Sequence, residues 1–362
     1  MLTYVVAFGL AFAIATGLTP VIRRLALRYG LVDPRSSRKV HSRPIPRVGG
    51  IAIVIGFYAS LVGLSLFHNQ VSSLLHADRL LVAGLFGCGI VIALLGLYDD
   101  LRGVSARTKF VAQLCVALAM YALGCKVLAV TNPFGSMIYL GAVAVPFTVI
   151  WIVGVTNALN LIDGLDGLAS GVAFFAVATN FLVAFTRSDV LMSLLMVTLA
   201  GAILGFLLFN FNPASIFMGD TGSMFLGFVL ATSSIITAQK GATAVAMLVP
   251  ILALGLPIMD TLLAMVRRFV TGRPLFSADN EHIHHKLMKL GYTHRRAVLA
   301  MYCMCVFFTL AALGLMFATA PQAAVILAAV GAMVFVLMRR LGYLYQRAAQ
   351  ENRDAAPVAE YR

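Results

Sequence analysis

The segment TNALNLIDGLDGLASG, residues 156–171, carries Asn157, Asn160, Asp163 and Asp166 at every third position. On a helical segment such groups drift slowly around one face. That would bring amide and carboxylate oxygens toward one spot, a donor set that suits a hard cation such as Mg²⁺. Gly164 and Gly167 would let backbone approach a ligand closely. An EF-hand does not account for the run, because the twelve-residue ligand set and its terminal Glu are missing. A structural turn would explain the glycines alone. Four polar groups between two apolar stretches are costly unless they bind something.

Four further stretches carry chemistry-bearing residues. In LYDDLRGVSARTKF, Asp99 and Asp100 end one apolar run and Lys109 opens the next. A helix dipole is negative at its C-terminus, so two carboxylates there want a cation or a proton; a solvated loop would also show an isolated Asp pair. In FNFNPASIFMGDTGSMFLG, Asp220 precedes Thr221, Gly222 and Ser223. Asp220 could be a simple N-cap, but the Gly-rich turn also offers amides to an anion, and Phe217 could stack on a base. In DNEHIHHKLMKLGYTHRRA, His282, His284 and His285 lie among Lys286, Lys289, Arg295 and Arg296. No Cys partner or HExxH spacing supports zinc. Imidazoles beside basic residues suit phosphate oxygens better, although a solvated basic loop would read the same. RKVHSRPIPRVGG, with His41, Arg43, Pro46, Arg47, Gly49 and Gly50, reads as a basic, turn-rich lip or as plain surface charge.

The elements that must hold these groups follow from composition. Of 362 residues, 61% are apolar and 11% charged, against about 45–50% and 25% in soluble domains. That excludes an ordinary soluble enzyme and a disordered chain. An all-α polytopic membrane protein is expected. A net charge of +13 would suggest nucleic acid in a soluble protein. Here it is expected to face anionic lipid, with no nucleic-acid partner. Five cysteines form no framework: Cys88, Cys115, Cys303 and Cys305 lie inside apolar runs and Cys125 at the end of one.

Eleven runs are long enough to span: 2–22, 48–67, 80–98, 110–129, 137–155, 168–186, 189–209, 223–238, 242–266, 298–318 and 321–340. The first lacks a basic leader and reads as a retained helix. Pro257 is placed to kink the run that contains Asp260. Alternating the connections between two sides puts 23 of the 27 Lys and Arg on one side and four on the other. By the positive-inside rule the N-terminus is expected outside and the C-terminus in the cytoplasm. Residues 1–345 read as one transmembrane catalytic domain and 346–362 as a polar tail. All five constellations fall on the cytoplasmic side. Oxygen ligands for a metal and cations for phosphates, together at a bilayer boundary, point to phosphoryl transfer to or from a lipid. A transporter or flippase for anionic lipids would place ionisable groups near the midplane, where only Asp260 is a candidate.

The ordered set YDDLRG…TK, NALNLIDGLDGL, FMGDTGS and HIHH resembles the polyprenyl-phosphate N-acetylhexosamine-1-phosphate transferases, over residues 38 to 296. DNEHIHHKL is similar to the branch that uses UDP-N-acetylglucosamine to start O-antigen, enterobacterial common antigen or teichoic-acid linkage units. The muramoyl-pentapeptide branch typically shows PxHHHFE there, which this chain lacks. The resemblance implies about eleven helices, an inner-membrane location, and transfer of HexNAc-1-phosphate from UDP-N-acetylhexosamine to undecaprenyl phosphate. It implies Mg²⁺, with Mn²⁺ the alternative, held by Asp220 with Asn160 as second ligand. Asp99 resembles the proposed base and is grouped with Asp100 and Asp163 as the catalytic carboxylates; Asp163 and Asn157 also resemble residues shaping the nucleotide pocket. Lys109 resembles the lysine for the lipid phosphate, and Asp166 and Phe217 the uracil site. His282, His284 and His285 resemble the sugar-diphosphate region, and Arg43 is placed with the substrate-binding groups. A homodimer is compatible with all of this.

Overall fold

Apolar segments in a bilayer must satisfy their backbone groups internally, which makes helices the default. The computed structural model describes residues 1–32, 45–66, 79–130, 138–239, 247–270, 272 and 281–342, and it is almost wholly helical. The helices are α1 (Leu2–Arg28), α2 (Gly50–Ser65), α3 (Arg79–Arg102), α4 (Ala106–Ala122), α5 (Ala144–Leu161), α6 (Leu168–Thr186), α7 (Val190–Asn210), α8 (Gly219–Gln239), α9 (Leu248–Ala253), α10 (Gly255–Val270), α11 (Ile283–Lys289), α12 (His294–Phe317) and α13 (Ala320–Arg340). A two-residue antiparallel pair, β1 (Ala129–Val130) with β2 (Ile138–Tyr139), precedes α5.

Among the described residues, eight helices (α1, α3, α5, α6, α7, α8, α12 and α13) are long and apolar enough to cross a bilayer. The other three expected runs take different forms. α2 has 16 residues and α4 has 17. The run 242–266 is not one helix: α9 ends at Ala253 and α10 starts at Gly255. Pro257 explains the site of the break, because its ring clashes with the carbonyl four residues earlier, that of Ala253.

α8 lies at the centre and is buried along nearly its whole length. It packs against α2, α3, α5 and α6. Small residues permit this, as they do between membrane helices generally. A Cβ on Gly227 would come within 2.7 Å of the Thr156 backbone on α5. α1 packs on α2 and α7, and α12 on α6 and α9. α13 leans on α12 and buries only Ala323, so its surface is left to lipid.

Helix ends explain how the polar groups are presented. α3 runs through Arg102, so Asp99 and Asp100 are helical rather than in a loop. Ser105 caps α4 by accepting from the Thr108 amide at 3.1 Å, which starts that helix in time to carry Lys109. α5 continues to Leu161, placing Asn157 and Asn160 on its last turns. Asp163 and Asp166 follow in the turn before α6.

Candidate active site

The Asp99–Asp100 pair is resolved by two different partners. Lys109 Nζ donates to Asp99 Oδ2 at 2.5 Å and to Asp220 Oδ2 at 2.7 Å. The Val104 amide holds Asp99 Oδ1. Asp100 turns instead to the first turn of α8. Its Oδ1 accepts from the Asp220 amide at 2.8 Å, and its Oδ2 from the Thr221 amide at 2.9 Å and the Thr221 hydroxyl at 2.6 Å. The negative end of α3 is thus balanced once by an ammonium and once by the positive end of α8. Both Asp100 oxygens are engaged, and they fix the first turn of α8, which carries Asp220. Close approach makes this possible. Gly219 has φ +71°, and a Cβ there would meet the Arg47 carbonyl at 1.9 Å and Asp100 at 2.6 Å.

Side-chain exposures of 22% for Lys109, 13% for Asp99 and 24% for Asp220 leave this triangle reachable by a ligand. Asp163, half-buried, faces the same cluster. Burial, then the Asp220 and Asp100 carboxylates, push its carboxyl up to about 8, against an opposing pull from Arg47. Asp99, Asp100, Asp163 and Asp220 thus gather around one lysine, and this set of hard carboxylate oxygens fits a divalent cation. Among the described residues, no three His, Cys, Asp or Glu side chains form a ready-made metal shell. Asn160, expected as the second ligand, presents its amide nitrogen to Ser223. Ser223 Oγ donates to the Gly219 carbonyl at 2.9 Å, so it accepts from Asn160 Nδ2, also at 2.9 Å. The amide nitrogen faces Ser223, and a ligating oxygen would need the amide to turn over.

Asp166, 2% exposed, organises the α7–α8 connection. Its Oδ2 accepts from Asn212 Nδ2 at 2.9 Å and from the Ala214 amide at 3.0 Å. Its own amide donates to His294 Nε2 at 2.9 Å. Phe217 is held by backbone pairing with the lip: its amide donates to the Pro46 carbonyl and its carbonyl accepts from Gly49. Asn157 Nδ2 donates to Gln113 Oε1 at 2.6 Å and to the Val153 carbonyl at 2.8 Å. Arg43, His41 and the rest of the lip up to residue 44 lie outside the described residues.

The histidine segment is anchored by a residue that sequence reading placed inside a span. Asp260 on α10, 2% exposed, accepts from the Ile283 amide at 2.8 Å and meets His282 Nδ1 at 2.8 Å. Its partner lies 22 residues away, so spacing alone gave no sign of the contact. His284 and His282 rings stack with centroids 5.8 Å apart, and His285 lies 4.2 Å from His284. His284 packs against Gly164, where a Cβ would fall 2.5 Å from its Nε2. Burial, and then His285, pull its imidazole down to about 3, so it is neutral. The Asp163 turn and the His helix α11 therefore touch. Asn212, Thr221, His294, Gln113 and Asp260 all support the site and were not singled out for it by sequence; each acts through a contact with a distant segment.

The arrangement gathers the ends of α3, α5 and α7, the Asp260 segment of α10 and the starts of α4, α8 and α11. A family model described as glycosyl transferase family 4 matches residues 82–238. That stretch includes the whole carboxylate–lysine cluster and stops before the His helix. The chain is 40% identical over 320 residues to a probable undecaprenyl-phosphate N-acetylglucosaminyl 1-phosphate transferase of Bacillus subtilis, covering 88% of this chain and 87% of that one. It is 38% identical over 317 residues to a decaprenyl-phosphate N-acetylglucosaminephosphotransferase of Mycolicibacterium smegmatis, covering 81% and 78%. It is 30% identical over 336 residues to a phospho-N-acetylmuramoyl-pentapeptide-transferase of Bacillus thuringiensis, covering 86% and 96%.

Proposed function

The chain belongs to glycosyl transferase family 4, and on that footing we propose that it transfers N-acetylglucosamine 1-phosphate from UDP-N-acetylglucosamine to undecaprenyl phosphate. The products are undecaprenyl-diphospho-N-acetylglucosamine, which opens a cell-envelope polysaccharide, and UMP. The observation that carries the reading is the Asp99–Lys109–Asp220 triangle at one end of a helical bundle. A lysine there is a phosphate-binding point charge on a long stem, able to meet a headgroup at the membrane surface. The enzyme sits in the bacterial inner membrane with this end in the cytoplasm, as the 23-to-4 division of basic residues supports.

An oxygen of the lipid phosphate attacks the phosphorus that bears the sugar. The bond from that phosphorus to the oxygen of UMP breaks, and UMP leaves with the electron pair. Such transfers depend on positioning and electrostatics. A phosphate monoester has its second pKa near about 6, so much of the nucleophile is already dianionic. Asp99 then orients the lipid phosphate through Lys109 or removes its last proton. Asp220 would hold Mg²⁺, with Asn160 joining it if its amide turns over. Bound there, the metal would neutralise the diphosphate's negative charge. Asp166 and Phe217 frame the uracil, with Asn157 and Asp163 beside it. His282, His284 and His285 would serve the sugar and diphosphate, and Arg43 is kept among the substrate-binding groups.

The test is to incubate the purified protein with undecaprenyl phosphate and, separately, UDP-N-acetylglucosamine, UDP-N-acetylgalactosamine or UDP-N-acetylmuramoyl-pentapeptide, and to follow UMP. Release with the first donor, dependent on the lipid, is the expected result. Turnover only with the pentapeptide donor would move the protein to the muramoyl branch, and none with any donor would overturn the reading.

A further inference from the structure

One buried donor near Lys109 has nothing to bond to. Gln113 is 2% exposed, and its Nε2 has no hydrogen-bond partner. The orientation of its amide is fixed by its neighbour. Asn157 Nδ2 donates to the Val153 carbonyl, which can only accept, so the Asn157 atom facing Gln113 is the nitrogen. The Gln113 atom that meets it must then be the oxygen, which leaves Nε2 as the spare donor. A buried amide donor without a partner is destabilising, so its retention calls for an acceptor that arrives with a ligand.

Gln113 lies one helical turn after Lys109 on α4, so the two share a face. Side chains on a helix lean toward its N-terminus, which brings the Gln113 amide back toward the turn from which Lys109 projects. The other side of α4 exposes Val111 and Leu118 to the bilayer. An acceptor reaching this seam from the membrane, already drawn by the Lys109 ammonium, is a phosphate monoester oxygen on an isoprenoid.

We propose that Gln113 Nε2 is a second hydrogen-bond donor, with Lys109, for the phosphate of the polyprenyl acceptor. The inference rests on the transferase reading above and extends its acceptor site by one residue. Its Oε1 meanwhile ties that site to Asn157, and so to the nucleotide side.

Two substitutions separate binding from scaffolding. Gln113→Glu keeps an oxygen for Asn157 but removes the donor and adds an anion. Gln113→Met is close in volume and removes an orphaned polar group, so it should melt near the wild type; Asn157 keeps its bond to Val153. Steady-state kinetics with each substrate varied should show the KM for undecaprenyl phosphate raised about tenfold or more in both variants. The KM for UDP-N-acetylglucosamine should stay within about twofold of wild type, since Asn157 remains hydrogen-bonded. An unchanged acceptor KM in Gln113→Met, or equal shifts for both substrates, overturns the proposal while leaving the transferase reading intact. A wild-type protein that makes no polyprenyl-diphospho-sugar overturns that reading itself. If Gln113→Glu does not fold, Gln113→Met decides alone.

Discussion

Lys109 stands between two carboxylates that would otherwise repel each other, and a ligand phosphate must compete with both for it. A charge-assisted hydrogen bond of this kind contributes about 1.5–3 kcal/mol, or about 10–150-fold in affinity. Lys109→Ala should therefore raise the KM for undecaprenyl phosphate by that range while direct UDP-N-acetylglucosamine binding is retained. Loss of nucleotide binding with unchanged lipid dependence would place the lipid site elsewhere. Asp220→Ala should abolish transfer at every Mg²⁺ concentration in a protein that still melts cooperatively; near-normal turnover would remove it from the metal site. Asp163 gives a pH signature. Its native carboxyl titrates near 8, above the unfolded value of about 3.9. The folded state then binds the extra proton, so this contribution to stability is whole below about pH 4 and lost as pH rises through 8. Chelated protein should melt at progressively lower temperature between pH 6 and 9, and Asp163→Asn should flatten that slope. Parallel profiles for the two proteins would sink the assignment. At this scale the reacting groups were legible, because carboxylates and lysines at the edges of apolar runs have few cheap explanations. Their supports were not. Thr221, Gln113 and His294 are ordinary in sequence and acquire meaning only from segments 121, 44 and 128 residues away.

α8 carries the site because its start is gripped by α3. Removing the Asp100 carboxylate would strand the amides of Asp220 and Thr221 and the Thr221 hydroxyl, at about 1–3 kcal/mol for each donor left without water. Asp100→Ala should lower the melting temperature by several degrees, whereas Asp99→Ala, which strands fewer donors, should lower it less and act mainly on turnover. Equal melting temperatures for the two variants would mean that Asp100 does not anchor α8. Apolar length set the cores of the helices correctly, but their ends were harder to read. α3 keeps its polar last turn because partners across the bundle satisfy it, and α5 runs six residues beyond the end expected at 155. The break between α9 and α10 was foreshadowed by Pro257. The role of Asp260, pinning the His helix from inside α10, depended on a fold that no periodicity encodes.

Over the whole molecule, the alternation of charge predicts more than any motif does. With the five native cysteines replaced, a cysteine at Leu290, which is exposed, should resist an impermeant maleimide in intact cells and react after permeabilisation. Labelling from outside would reverse the orientation. The polytopic helical architecture was readable because 61% apolar content leaves a chain few alternatives. The departures came where 16- and 17-residue helices and a broken pair stand in for full spans. The part of the lip that holds Arg43, up to residue 44, falls outside the described residues.

The placement of Lys109 on α4 has a consequence for isoprenoid length. The polar grip on the acceptor ends at its phosphate, and Phe110, next to Lys109, is exposed on the flank of a helix that faces lipid. A tail lying along such a surface is measured by the bilayer rather than by a pocket. Carbon atoms far from the headgroup then add little discrimination. Acceptors of ten and eleven isoprene units should be used at similar kcat/KM, and even much shorter prenyl phosphates should serve once they partition fully into the membrane.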